Sequence, residues 1–364
     1  MSALQWKNKQ LMPTTFRSTR LIQRIFIATL VAPLISILTL NANATASNTN
    51  ATVKSDYLQH DKFTAFLNTV VKEDGHDKQT VLDLFNDAER KDSILKAIAR
   101  PAEKRLTWAK YQDIFLTKKR AEKGLTFYKK YKATFTKAND TYGVPPEIIL
   151  AIIGVETRYG GNKGSYRVID SLSTLAFDYP PRSKFFTKQL RQYLLLGKEA
   201  GIDLKSTKGS YAGAMGFPQF IPSSYRHYAI DFDNDNVTDL INNPVDAIGS
   251  VANYFSEHGW VSNAPITSPA RFLKANGKES DLDGLVNQSL KPSLTIEDIT
   301  NAGLVGDKTY NNDVKATAMR LKGKQGNEYW IGLNNFYVIT RYNHSKLYAM
   351  AVYQLSETLK SKIK

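Results

Sequence analysis

The segment Pro145–Gly161, PPEIILAIIGVETRYGG, carries no charged residue between Glu147 and Glu156. A helix that is apolar on every side is stable only inside a domain, so other elements must pack around this one. Pro145 and Pro146 suit a first helical turn, where a missing N–H is no loss. Ile149, Ile152, Ile153 and Glu156 fall at i, i+3, i+4 and i+7, so the carboxylate shares one stripe with residues aimed inward. Burial disfavours the charged form of a carboxyl group, and a carboxyl kept protonated near neutral pH is a general acid. The structural alternative is a Glu at a helix end paired with Arg158 or a lysine.

The rest of the chain reads as helices around this one. Residues 57–120 have helical periodicity, as in KQTVLDLFNDAERKDSILKAIAR, which ends at Pro101. The same pattern continues to Gly143, and amphipathic stretches recur at 184–201 and 243–260. After Trp260 the texture changes to short apolar runs among Pro, Ser, Thr and Gly, which predicts a small β insert over 263–330. Residues 331–364 return to a long helix. The fold class expected is α+β, mainly α. The 364 residues suffice for two or three compact units.

The N-terminus reads as a targeting segment. Lys7, Lys9, Arg17, Arg20 and Arg24 form a basic region with no acid, Ile25–Leu40 is largely apolar, and NANATAS supplies small residues for cleavage after Ala44. An uncleaved anchor is the alternative, although the apolar run is short of the roughly 20 residues a span needs. Residues 45–56 then form a polar linker. The chain has no Cys, which excludes disulfides, thiolate metal sites and a lipid-modified cysteine. An exported, disulfide-free chain with 49 Lys and Arg against 34 Asp and Glu suits the periplasm and an anionic partner. The basic residues are spread along helices, so nucleic acid is not the expected partner.

Two loops carry further chemistry. GSYAGAMGFPQFIPSSY, residues 209–225, alternates glycine with small residues and holds Ser210, Gln219 and Phe220. Such a loop suits a sugar cleft, where small residues admit a polymer and aromatic faces stack on pyranose rings; a tight packing turn has the same composition. DFDNDNVTDLINNPVDA, residues 231–247, sets Asp231, Asp233 and Asp235 at positions 1, 3 and 5 of an EF-hand-like loop, with the Val237 carbonyl at 7. Asn242 stands where that loop uses Glu, and Asp246 closes a longer loop instead. Alternating Asp is also ordinary turn chemistry. The five His residues show no metal spacing, and no G-x-S-x-G elbow occurs.

GVETRYGG, GSYAGAMGFPQFIPSSY, the acidic loop with NPVDAIGSVANYF, and NNFYVITRYNHSKLYAMAV occur in the order and spacing of the lytic murein transglycosylase B family, which the chain resembles over roughly residues 57–360. The resemblance implies a lysozyme-like core, residues 121–262, flanked by a helical domain, 57–120, and the small β insert. It implies cleavage of the β-1,4 bond between N-acetylmuramic acid and N-acetylglucosamine in peptidoglycan, leaving 1,6-anhydro ends. Glu156 is then the acid and later the base. Ser210, Gln219, Phe220, Tyr111, Tyr254, Tyr342, Asn343, Tyr348 and Arg182 match cleft positions. Asp231, Asp233, Asp235, Val237 and Asp246 match a structural cation site for Ca²⁺, with Na⁺ as the alternative occupant and no organic cofactor. The expected partners are glycan strands and proteins of wall synthesis or remodelling, met by a monomer. A water nucleophile would make the chain a lysozyme-type hydrolase, and loss of chemistry a peptidoglycan-binding protein.

Overall fold

A computed structural model describes residues 55–99, 106–273 and 277–363. The leader expected at 1–44 and nearly all of the linker lie outside the described residues. Helices α1 (Phe63–Lys72), α2 (Lys78–Asn86) and α3 (Asp92–Ile98) come first, then α4 (Trp108–Phe115), α5 (Lys118–Lys130) and α6 (Lys132–Tyr142). Asp77, Thr107 and Thr117 cap α2, α4 and α5 by accepting from an N–H three residues on. The Thr117 cap marks the boundary where the helical pattern divides into α4 and α5. Gly143 ends α6 in the left-handed conformation that glycine adopts most cheaply.

The apolar segment forms α7 (Pro146–Thr157). Ile148 through Ile153 are at most 1% exposed. Around α7 pack α5, α6, α11 (Pro244–Glu257) and α14 (Lys346–Ile363). The remaining core helices are α8 (Val168–Asp178), α9 (Ser183–Glu199) and α10 (Pro222–Tyr228). Two short strands, β1 (Tyr166–Arg167) and β2 (Lys208–Gly209), pair antiparallel and hold the segment after α7 against the 209–220 loop. One buried cluster runs from Tyr57 to Leu359, so the first helices share their core with α7 and its neighbours.

Asp170 ties two parts of this core together. It is 2% exposed and accepts from Arg167 Nε at 2.8 Å, Arg167 Nη2 at 2.9 Å and the Glu89 N–H at 2.9 Å. Asp170→Asn keeps the shape and removes the charge. Because Arg167 is 26% exposed, solvent screens the pair, and the expected loss is about 2 kcal/mol. Urea unfolding reads this directly; an unchanged midpoint would show that the network is ornamental.

The β region is a sheet with its own small core. Strands β3 (Thr267–Phe272), β4 (Leu294–Thr295), β5 (Leu304–Gly306), β6 (Lys315–Gly323) and β7 (Gly326–Gly332) pair antiparallel in the order β4-β6-β7-β3-β5. Helix α12 (Ile296–Asn301) joins β4 to β5, and Ile299, Leu304, Ala318 and Ile331 bury the inner face. Trp108 of α4 donates from Nε1 to Glu328 of β7 at 3.0 Å, which fixes the β6–β7 hairpin to the helical part.

The final stretch departs from the single long helix its periodicity predicts. It folds as α13 (Asn334–Tyr342) and α14, broken at Asn343–Ser345. Asn343 is extended, with φ −142° and ψ 124°, and Ser345 Oγ accepts the Tyr348 N–H at 3.3 Å. Short polar residues compete with the helix for its own hydrogen bonds, which is how Asn-His-Ser interrupts an otherwise helical run.

Candidate active site

Glu156 lies one residue before the end of α7, half-buried. The helix stops there abruptly. Arg158 and Tyr159 both take positive φ, 53° and 61°, and their N–H groups bond back to Gly154 and Ile153 at 3.2 Å. A left-handed conformation costs a non-glycine residue roughly 1 kcal/mol, so strain is held beside the carboxylate. Tyr348 of α14 donates its hydroxyl to Glu156 Oε1 at 2.6 Å. Burial pushes the Tyr348 phenol well above its usual range, and the Glu156 charge pushes it further, so Tyr348 stays a donor. Tyr342 is raised by the same two causes in the same order, stacks on Tyr348 at 6.4 Å, and donates to the Pro218 carbonyl at 2.6 Å.

The 209–220 loop closes on itself. Ser210 N–H bonds to the Ala214 carbonyl at 2.8 Å, and Met215 and Phe220 exchange backbone bonds at 2.9 and 3.1 Å. Ser210 Oγ accepts from the Ala212 and Ala214 N–H groups. Gln219 sits at φ 51° and donates its amide to the carbonyls of Lys163 and Gly216 at 3.1 and 3.0 Å. Phe220 is wedged between Tyr254 and Tyr342 at 5.6 and 5.8 Å.

A cleft of about 460 Å³ gathers most of the expected residues. Arg182, Gln219, Phe220, Tyr254, Tyr342 and Asn343 line it. Glu156, Ser210, Tyr111 and Tyr348 are not among the lining residues. Glu156 and Tyr348 adjoin the cleft through Tyr342, and Tyr111 contributes its field at Tyr348. The hydroxyls of the expected wall tyrosines bond to the protein, while the rings of Tyr254 and Tyr342 line the cleft: Tyr254 is 7% exposed and donates to the Arg341 carbonyl at 2.7 Å. A second hollow of about 690 Å³, between α4, the β6 end of the hairpin and the α13–α14 break, shares Asn343 and His344 with the first. Among the described residues, no Asp or Glu lines either hollow.

Sequence reasoning passed over His344, Arg341 and Phe185, which the structure puts in the cleft. Phe185 had a local signal: Arg182 precedes it by three residues, and the guanidinium lies 4.2 Å from the ring centroid. His344 had none, because only the helix break delivers it.

The acidic loop brings oxygen atoms of Asp231, Asp233 and Asp246 within 4.8 Å of one another. Asp235 falls outside that group; its Oδ1 accepts the Val237 N–H at 2.8 Å. Asp246, on the first turn of α11, is fully buried and accepts from the Phe232 and Asp239 N–H groups at 2.8 Å. Burial raises its carboxyl above the usual range against those two bonds, and Asp233 and Asp231 add to the rise. A set of hard carboxylate oxygens that repel one another suits a hard cation.

Known proteins resemble this chain along most of its length. The model of the transglycosylase SLT domain matches residues 59–357. Membrane-bound lytic murein transglycosylase B of Escherichia coli (strain K12) is 40% identical over 313 residues, 84% of either chain. The X-ray structure of the catenated lytic transglycosylase SltB1 from Pseudomonas aeruginosa superposes with a TM-score of 0.79 at 47% identity, covering 84% of this chain and 99% of that one. The E. coli lytic transglycosylase Slt35 in complex with calcium gives 0.78 at 39% identity, covering 87% and 99%. The chain belongs to the transglycosylase SLT domain family, among the lytic murein transglycosylases of the B type.

Proposed function

We propose that this protein is a peptidoglycan lytic transglycosylase, a lyase that breaks the β-1,4 bond between N-acetylmuramic acid and N-acetylglucosamine and leaves 1,6-anhydro-muramyl ends. The observation that carries the reading is one carboxylate, Glu156, held by the Tyr348 phenol at 2.6 Å beside a cleft that no Asp or Glu lines among the described residues. Most glycosidases use two carboxylates, so a lone one calls for help from the substrate. Protonated Glu156 gives its proton to the glycosidic oxygen, and N-acetylglucosamine leaves with a free O4 hydroxyl. The 2-acetamido group supports the cationic muramyl C1. Glu156, now ionised, takes the proton of the C6 hydroxyl as O6 bonds to C1, and so regains its starting state without water. The internal hydroxyl wins because it is already held near C1, an advantage of effective concentration.

In this reading Gln219, Asn343 and Arg182 orient the sugars, and Phe220, Tyr254, Tyr342 and Tyr348 hold the wall behind them. Ser210 and Tyr111 act from the flanks, and the glycan strand passes from the cleft over Asn343 and His344 into the second hollow. The protein works in the periplasm after export, as a monomer on glycan strands. The test is mass spectrometry of purified peptidoglycan digested with the protein. Anhydro-muramyl products support the reading; reducing ends in their place would make the chain a hydrolase.

The acidic loop, we infer, holds Ca²⁺ in a structural role through Asp231, Asp233, the Val237 carbonyl and Asp246, with Na⁺ as a weaker competitor; Asp235 joins through Oδ2, since its Oδ1 accepts the Val237 N–H. The related Slt35 structure is a calcium complex. Bound calcium offsets the mutual repulsion of carboxylates that tie the 231–243 turn to α11. Ca²⁺ at a hundred times its dissociation constant should stabilise the fold by about 2.7 kcal/mol. Thermal unfolding in calcium and in chelator reads this, with Asp233→Asn abolishing the difference. An equal midpoint in both media would leave the loop as turn chemistry alone.

A further inference from the structure

A pocket between the start of α5 and the end of α7 gathers four cations and, among the described residues, no acid. Ile114, Thr117, Lys119, Arg120, Lys123 and Arg158 enclose about 260 Å³. Arg120 is the buried member, 6% exposed. One of its terminal nitrogens donates to the Gly154 carbonyl of α7, and the other to the Ile114 carbonyl at the end of α4, at 3.1 Å. Its Nε is buried and has no hydrogen-bond partner. Among the described residues, no carboxylate pairs with this charge. Burial pushes the guanidinium below the usual arginine range, Tyr159 opposes that, and the like charge of Arg158 adds to it. Glu122, on the same helix, pairs with Lys118 at 3.9 Å instead.

A buried charge is expensive unless an opposite charge pairs with it; here two carbonyls and the Phe115 ring, 5.2 Å from the guanidinium carbon, share it, and among the described residues no anion does. The surroundings all point to a counter-charge from outside. Lys119, Lys123 and Arg158 are exposed around the pocket, the two lysines one helical turn apart on α5 and Arg158 opposite. The first turn of the 13-residue α5 carries no acid, so its positive end is unopposed.

We propose that this pocket binds an oxyanion of the phosphate class, either inorganic phosphate or the phosphate of a lipid headgroup. A carboxylate offers one charge in one plane. Phosphate offers up to two, on oxygens spread in three dimensions, which matches donors arriving from two helices. The anion neutralises the Arg120–Arg158 repulsion two residues from Glu156, at the strained turn that ends α7.

The test is calorimetric titration of the purified full-length protein with inorganic phosphate at fixed ionic strength, with acetate as comparator. A parallel arm measures sedimentation with phosphatidylglycerol vesicles against phosphatidylcholine vesicles. Expected is saturable one-to-one phosphate binding, weakened at least about tenfold by the paired substitutions Lys119→Gln and Lys123→Gln and restored by Lys→Arg at both positions. Those side chains are exposed, so the fold is kept, as an unchanged melting curve verifies. Loss of phosphatidylglycerol binding in the same variant assigns the lipid headgroup; phosphate binding with vesicle binding unaffected assigns the free ion. The proposal is overturned by any of three results. One is no saturable phosphate binding together with no variant-sensitive vesicle binding. Another is equal affinity for acetate. The last is equal weakening by Lys129→Gln with Lys130→Gln at the far end of α5, which would make general surface charge the cause.

Discussion

Replacing Glu156 by Gln is expected to remove muropeptide release while the protein stays folded. The amide matches the carboxyl in size, and its Oε1 still accepts the Tyr348 hydroxyl that now meets Glu156 at 2.6 Å. What it cannot do is give up and retake a proton. General acid–base catalysis contributes about 10²–10⁴ in rate, and here one residue performs both transfers, so the loss should reach the upper end, equivalent to about 5 kcal/mol of barrier. Melting temperature should move by no more than about 2 °C, because the half-buried position loses neither volume nor its hydrogen bond. Activity above about a tenth of the parent's would sink the assignment of Glu156 as the acid, since no effect of that size fits the loss of a proton donor.

How much of this was legible in the sequence differs between the elements. The buried helix was, because an all-apolar run has only one stable place in a soluble fold, and Ile148–Ile153 fill it. The caps at Asp77 and Thr107 are local chemistry, but the periodicity that marked these helices does not single them out. The β insert was legible as texture, but its strand order was not, since β4-β6-β7-β3-β5 is set by pairings across many residues. Position of Glu156 on the inward stripe was readable from spacing; its partner Tyr348 lies 192 residues away, where no local pattern reports it. The α13–α14 break was hidden because apolar periodicity continues through it, while the Asn-His-Ser interruption acts through hydrogen bonds that periodicity does not register. Asp231, Asp233 and Asp246 come together as the spacing suggested, although Asp235, inside the same pattern, turns to the Val237 N–H.

The 209–220 loop left two explanations for its small residues: room for a polymer or tight self-packing. Their surroundings favour the second. A Cβ on Gly213 would strike Leu172, and on Gly209 or Gly216 it would strike the carbonyls of Ala214 and Leu240, each well inside the 3.0 Å that real Cβ atoms keep. Gly216→Ala is therefore expected to destabilise the protein by about 3–5 kcal/mol, among the largest effects of a single substitution. Two costs add. The φ of 72° strains any L-residue, worth about 1 kcal/mol. The rest comes from backbone meeting backbone, which no rotamer change relieves. Phe217 N–H bonds to that same Leu240 carbonyl at 2.9 Å, so parting the chains breaks the link between the loop and the end of the acidic turn. Gly201→Ala separates the two terms. It has φ 62° with nothing within 4 Å of its Cβ position, so it should cost only the strain, about 1 kcal/mol. Urea midpoints of the two variants against the parent decide the matter. Equal losses would mean that the loop yields at Gly216 without penalty, and the small residues would then have to be explained by what the cleft admits.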